Sequence, residues 1–540
     1  MTTINTPDPD DDPSSLQPRM LQSAQENSHL AHVCIQEVTA LADRVKTKAS
    51  PLQSTGLPTF LRVLQREKDT VDLIARIATE DAIRPEETLK QHNRRLEASV
   101  NVVSRSVAQW DRLKRCCGLV SVNKNFQGSS RNGRREEMIK RDISGRDKQT
   151  AHRLLKEQGR VEVDVVDLGR EWLAVKAVHR DRLARELGDC GWAWGDHELG
   201  DRVDEDEWDD VPLAKFAKRL VAAAKLNRHE YHFPRIRLVL SNLCHGNDEL
   251  DIFIDQLKHL DPLVQVTIEY QDGVFMSTPP PPLQTALANL VGGELEHLTQ
   301  TLNLDHTILI DMISDLTHAS LQPQPWQAQS TRSQIEQENL QPGGIMAAKL
   351  YPLLAGRKLI CTMEAADHFH RVLEAVGTET ERERGALLLP DDQSMSKEAI
   401  RERFQQLSIH PLPEDVQLPL DIAPEPWDKP SIEEAVSKGV LPEMALDVVE
   451  CSGFKSAKLS IFVYGWAAKI VTLTSNKEVR GQMRTWVEAN RRSETDLGPS
   501  IWKLDVTRNL LAKNANPRPG RFRKRRDGEE EDDDSDDQQE

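Results

Sequence analysis

The stretch that decides the fold is "LNLDHTILIDMISDL", residues 302–316. Its apolar "LNL" ends in Asp305, and the stiff apolar run "TILIDMI" follows at once. A short apolar run handed over to a buried helix reads as strand, turn and helix. Two roles are open to Asp305. It can cap the helix by accepting hydrogen bonds from the first-turn N–H groups. It can also stand at a strand end as part of a site.

Downstream, "RKLICTM" reads as a strand and "EAADHFHRVLEAVG" as a helix closed by Gly377. "TETERERGALLL" opens with the Thr-x-x-Glu pattern of a capping box. "KLSIFVYG" and "KIVTLTSN" read as strands, "KEVRGQMRTWVEANRR" as a helix and "SIWKLD" as a last short strand. Upstream, "STPPPPLQ" at 277–284 is a hinge, because a proline run cannot continue a helix or a central strand.

Before the hinge the rhythm changes twice. Residues 16–120 carry apolar residues at helical spacing, with Leu30, Val33, Val38, Leu41 and Val45 on one stripe, and form a helical module. Residues 121–160 are basic with interspersed Gly and Ser, and read as a mobile loop leading into a helix. Phosphate contact is their functional reading and a solvated linker the plain one. Residues 161–276 alternate strands ("RVEVDVV", "EWLAVKAV", "RIRLVLSN", "VQVTIEY") with helices, which predicts a central α/β domain. The pairing of Asp164 on its first strand with Lys176 on its second resembles the restriction-endonuclease-like fold. That family wants an acid two residues before the lysine, where this chain has Ala174, and Glu162 is the partial substitute.

Composition bounds the rest. The chain of 540 residues suits several domains, and much of its formal net charge of -17 sits in "DPDDDP" near the start and "GEEEDDDSDDQQE" at the end. Residues 1–15 and 516–540 are therefore expected to be disordered. "RFRKRR" before the acidic block reads equally as a nuclear import signal and as a self-screened tail, so the nucleus and the cytoplasm are the expected locations. Seven Cys without C-x-x-C spacing read as free thiols in a reducing, intracellular compartment. Cys244–His245, His229–His232 and His368–His370 lack metal-site spacing. No apolar run is long enough for a membrane span.

The order of elements from 283 to 515 resembles a PIN-like nuclease domain. In that family a strand-end Asp, an acid opening a later helix, a third acid before the last core strand and a Thr-x-Asp hold divalent metal on a phosphodiester. By that resemblance Asp305 is the first acid and Glu364 the second. Asn476, in "TLTSNKEV", stands where the active nucleases carry Asp. Tyr464 and Trp466 fall where the third acid is needed. "VEVDVVDLGREWLAVKAV", "LNLDHTILIDMIS", "FHRVLEAVGTETERERGALLL" and "LSIFVYGWAAKIVTLTSN", in this order, resemble the family of domain of unknown function 1308, described as PIN-like in its C-terminal part. The resemblance implies a multidomain α/β protein with Asp305, Glu364 and Asn476 as the catalytic positions, and Asp305 and Glu364 as ligands of Mg or Mn. With half of the acids missing, the expected function is a degenerate nuclease-fold scaffold that binds RNA or other proteins. The alternative is an active metal-dependent ribonuclease.

Overall fold

The computed structural model describes residues 13–46, 56–79, 86–142, 147–246, 248–292, 295, 298–390, 395–452 and 456–512. The expected acidic tail, the "RFRKRR" signal and residues 1–12 lie outside these. Pro13, expected in a disordered leader, begins the first helix, Pro13–Lys46. With Leu57–Thr79 and Glu86–Leu113 it makes the expected helical module. The buried stripe of the first helix runs through Ala24, Ala31, Cys34, Val38, Leu41 and Val45, while Leu30 and Val33 are exposed.

The next segment departs from expectation. Residues Leu119–Gln127 form strand β1, the edge of a five-stranded sheet, and Arg131–Lys140 and Asp147–Gln158 are helices. "LVSVNKNFQ" was concealed by its charges. On an edge strand half the side chains face water, and here Lys124 lies over the Phe126 ring, which stacks on Trp172. The sheet continues through β2 (Arg160–Asp167), β3 (Glu171–Ala177), β4 (Arg235–Ser241) and β5 (Val266–Tyr270), in that spatial order. β1, β2 and β3 pair antiparallel, and β3, β4 and β5 parallel. One face packs Val165, Leu173 and Val239 against Trp110, Leu57 and Val103 of the N-terminal helices. The other packs Ala174, Leu238 and Leu240 against helices Arg180–Cys190, Pro212–Leu226 and Asp248–Lys258. Burial on both faces accounts for the unbroken apolar run in "RIRLVLS". After the prolines, helix Leu283–Gly292 buries Leu287 and Leu290 with the N-terminal helices.

The second sheet is wholly parallel. Its strands are β6 (Thr301–Leu304), β7 (Lys358–Thr362), β8 (Asp421–Ala423), β9 (Val471–Thr474) and β10 (Ile501–Lys503). Their spatial order is β10-β9-β6-β7-β8. "KLSIFVYG" is not a strand: Ser456–Ala467 is a helix. A short apolar run fits a buried helix as well as a strand, and this one buries Ile461, Phe462, Val463 and Trp466. Gly465 lets it lie on the sheet, since a Cβ there would meet the Thr472 hydroxyl at 2.1 Å. Tyr464 and Trp466 are thus helix residues, packed on Trp427 and hydrogen-bonded to the Leu497 carbonyl.

Candidate functional site

The chain order reverses at β6. It runs β6, β7, β8 to one side, then returns to place β9 and β10 on the other. The crevice outside the carboxyl ends of β6 and β9 is therefore the topological switch point, where open α/β sheets place their ligands. Asp305 follows β6 directly and Ser475 and Asn476 follow β9. The Asp305 N–H donates to the Leu473 carbonyl at 2.9 Å, so the two strand ends are tied together.

Asp305 occupies the N-cap position of helix His306–Ile313, but its side chain makes no capping hydrogen bond. Its carboxylate faces the crevice floor instead. Oδ2 accepts from the hydroxyls of Thr474 at 2.6 Å and Thr307 at 2.9 Å. Oδ1 lies 2.6 Å from His306 Nδ1, a close contact without hydrogen-bond alignment. Burial alone would raise the Asp305 carboxyl; His306, Thr474 and Thr307 outweigh it and hold the group below the usual carboxylate range. The His306 ring meets His368 edge-on, with centroids 4.9 Å apart.

Asn476 joins the same floor through Thr474, whose hydroxyl accepts from the Asn476 N–H at 3.0 Å. Its own side chain is used locally. It caps helix Lys477–Asn490 by accepting from the N–H groups of Glu478 and Val479. Asn and Asp cap about equally well, and Ala does not. Asn476→Asp is therefore expected to keep the melting temperature, and Asn476→Ala to cost about 1 kcal/mol in denaturant unfolding. Glu364 lies in the first turn of helix Met363–Val376, after β7. Its Oε1 accepts from the Trp427 N–H at 2.9 Å, and its Oε2 has no hydrogen-bond partner among the described residues.

Magnesium needs oxygens in near-octahedral array, and two-metal hydrolysis needs several shared carboxylates. Among the described residues no group of three or more His, Cys, Asp or Glu side chains converges to hold an ion. Asp305 and Glu364, the expected Mg or Mn ligands, do not belong to such a group. In the central sheet Asp164 and Lys176 are engaged separately. Asp164 accepts from the Val175 N–H at 2.8 Å, and the Lys176 ammonium lies 3.9 Å from the Phe216 ring centroid.

Residues that sequence reasoning passed over support the floor from below. Asp311 is fully buried on helix His306–Ile313. It accepts from the Ser475 hydroxyl at 2.8 Å, the Thr507 hydroxyl at 3.1 Å and the Arg508 N–H at 2.6 Å. It thereby links the loop after β9 to the extended segment 504–512. A carboxylate inside "TILIDMI" was itself the signal, since buried charges are found paired or hydrogen-bonded. Burial pushes the Asp311 carboxyl up to about 7 despite its three donors. Its folded pKa is above the unfolded value of about 3.9. Its stabilising contribution is therefore full below about pH 4 and is lost as pH rises through 7. Wild type should lose stability between about pH 5 and 7.5 at up to about 1.4 kcal/mol per unit. Asp311→Asn should flatten that slope in denaturant titrations.

No described helix is long and apolar enough to cross a membrane. No curated protein and no solved structure is matched by this chain. A family model described as "Protein of unknown function (DUF1308)" matches residues 302–410. The match contains Asp305, Asp311 and Glu364 and stops before β9 and Asn476. Over that segment, which begins on β6 and carries the acidic half of the switch-point floor, the chain is similar to the DUF1308 family.

Proposed function

We propose that the C-terminal sheet is a PIN-like domain that has kept the position of a nuclease centre and lost its chemistry, and that it binds RNA without cutting it. The observation that carries this reading is the state of the Asp305 carboxylate. It sits buried at the switch point, with Oδ2 taken up by the Thr474 and Thr307 hydroxyls and Oδ1 against the His306 ring. Glu364 is turned to a backbone N–H, and Asn476 is neutral and spent on a helix cap. Such a floor can position a polar ligand by hydrogen bonds. It lacks the carboxylates needed to generate a metal-bound hydroxide.

The test is incubation of the purified protein with end-labelled single-stranded RNA and Mg²⁺ or Mn²⁺, beside Asp305→Ala. The reading expects retarded but intact RNA in both. Metal-dependent cleavage abolished by Asp305→Ala would establish the active ribonuclease instead. Restoring one acid through Asn476→Asp is expected to leave the RNA intact as well, because the third carboxylate is still missing.

A further inference from the structure

The helix that Asn476 caps leads away from the crevice, and its charges are ordered. Lys477, Arg480 and Arg484 stand at i, i+3 and i+7, one stripe of a helical surface, and all three are exposed. None of them forms an ion pair among the described residues. At about 1.5 Å rise per residue the stripe extends about 10 Å from the crevice. Its far end reaches the central sheet, where Arg484 Nη2 donates to the Arg228 carbonyl at 2.9 Å.

Positive charge continues there. Burial, and then Arg484, hold the Lys124 ammonium of β1 below its ordinary value. His229 is held down by burial and, with lesser weight, by Arg480, Arg170 and Arg484. The acids among them are Glu230, which pairs with Arg170 at 3.1 Å, and the exposed Glu478 beside Lys477. Glu488 is engaged by Arg228 and Arg491. Beyond Lys124 the chain passes to the exposed Arg131 and Arg135. A chain of net charge -17 has thus gathered cations that repel one another along one path. Lys477 adds to the cost, because it stands in the first turn of its helix, where the dipole disfavours a cation. A bound polyanion removes both penalties.

We propose that this path is a track for the phosphate backbone of single-stranded nucleic acid. The strand runs from the floor at Asp305 and Asn476 along Lys477, Arg480 and Arg484 to Lys124 and Arg170 of the central sheet. The inference rests on the nucleic-acid reading of the crevice and adds the route of the strand. The Lys477–Asn490 helix exposes no large apolar side chain for insertion into lipid, which sets the track apart from a membrane-binding face.

The test uses the full chain, a fluorescent 20-nucleotide oligouridine and anisotropy titrations from about 50 to 200 mM salt. Lys477→Glu/Arg480→Glu alters two exposed side chains and places an acid where the helix dipole favours one, so folding is retained. This double variant is expected to bind at least about tenfold more weakly and to reduce the salt slope by about 1.4, at about 0.7 per lost phosphate contact. If wild type binds and the double variant keeps both affinity and slope, the track is wrong while the crevice reading stands. If wild type does not bind the oligomer, both fall. Pelleting with phosphatidylserine vesicles in place of oligomer binding would assign the stripe to a lipid surface and overturn the track.

Discussion

Replacing Arg384 by Leu is expected to destabilise the C-terminal domain by about 3–5 kcal/mol, the cost of leaving one member of a buried ion pair alone. The Arg384 side chain is almost wholly buried. Its Nε donates to the Ile313 carbonyl at 2.8 Å, its Nη1 to the Leu407 carbonyl at 2.6 Å, and its Nη2 to Asp315. Asp315 also accepts from the hydroxyls of Thr378 and Thr380. The variant strands a buried carboxylate and two carbonyls at once. In a domain of this size the loss corresponds to roughly 6–20 °C in melting temperature, at about 2–4 °C per kcal/mol. Adding Asp315→Asn should return part of it, because the uncompensated charge is then gone. A loss below about 1 kcal/mol would mean that water reaches the pair and that the structure misplaces this layer.

Arg508→Leu is expected to cost a comparable amount, about 3 kcal/mol or more, by a related route. Arg508 is buried and pairs with Glu338 at 2.6 Å. Glu338 in turn holds the N–H groups of Ile345 and Met346 at the start of helix Ile345–Leu354. The backbone around Arg508 is stitched down residue by residue. The Arg508 N–H goes to Asp311, the Asn509 N–H to Gln334, the Leu511 N–H to Glu381, and the Asn509 carbonyl accepts from Ser314. The segment behaves as a strap, and its loosening would release the Asp311 contact to Ser475 beside the crevice. Hydrogen exchange should therefore accelerate at Arg508, Asn509 and Leu511 in the variant, while β7, on the other side of β6, keeps its protection. Unchanged exchange along the strap would show that the Arg508–Glu338 pair does not hold it.

Much of this was legible in the residues. The strand–carboxylate–helix reading of 302–316 placed Asp305 at the end of β6, and "TLTSN" placed Asn476 after β9, so the sequence named both sides of the crevice. The capping box at Thr378 and Glu381 is present with both of its hydrogen bonds. What failed did so for physical reasons. Within "KLSIFVYG" the residues Ser460, Ile461, Phe462 and Val463 are buried in succession, so they show no periodicity with which to tell helix from strand, and only Gly465 hints at a close approach. β1 is an edge strand whose exposed charges look like a linker. The buried layer of Asp311, Asp315, Glu338, Arg384 and Arg508 joins residues far apart in the chain, and no spacing rule connects them. Asp305 stands in the cap position and spends its side chain on the crevice floor.

The central claim is that this floor offers a nucleic acid hydrogen bonds and charge but no seat for a catalytic cation. Manganese titration followed by electron paramagnetic resonance tests it most directly, because the signal of free Mn²⁺ diminishes as the ion is bound. Wild type and Asp305→Ala are expected to give superimposable titrations, with only weak uptake by scattered surface carboxylates. A tight Mn²⁺ site present in wild type and lost in Asp305→Ala would contradict the account and restore the metal-dependent nuclease.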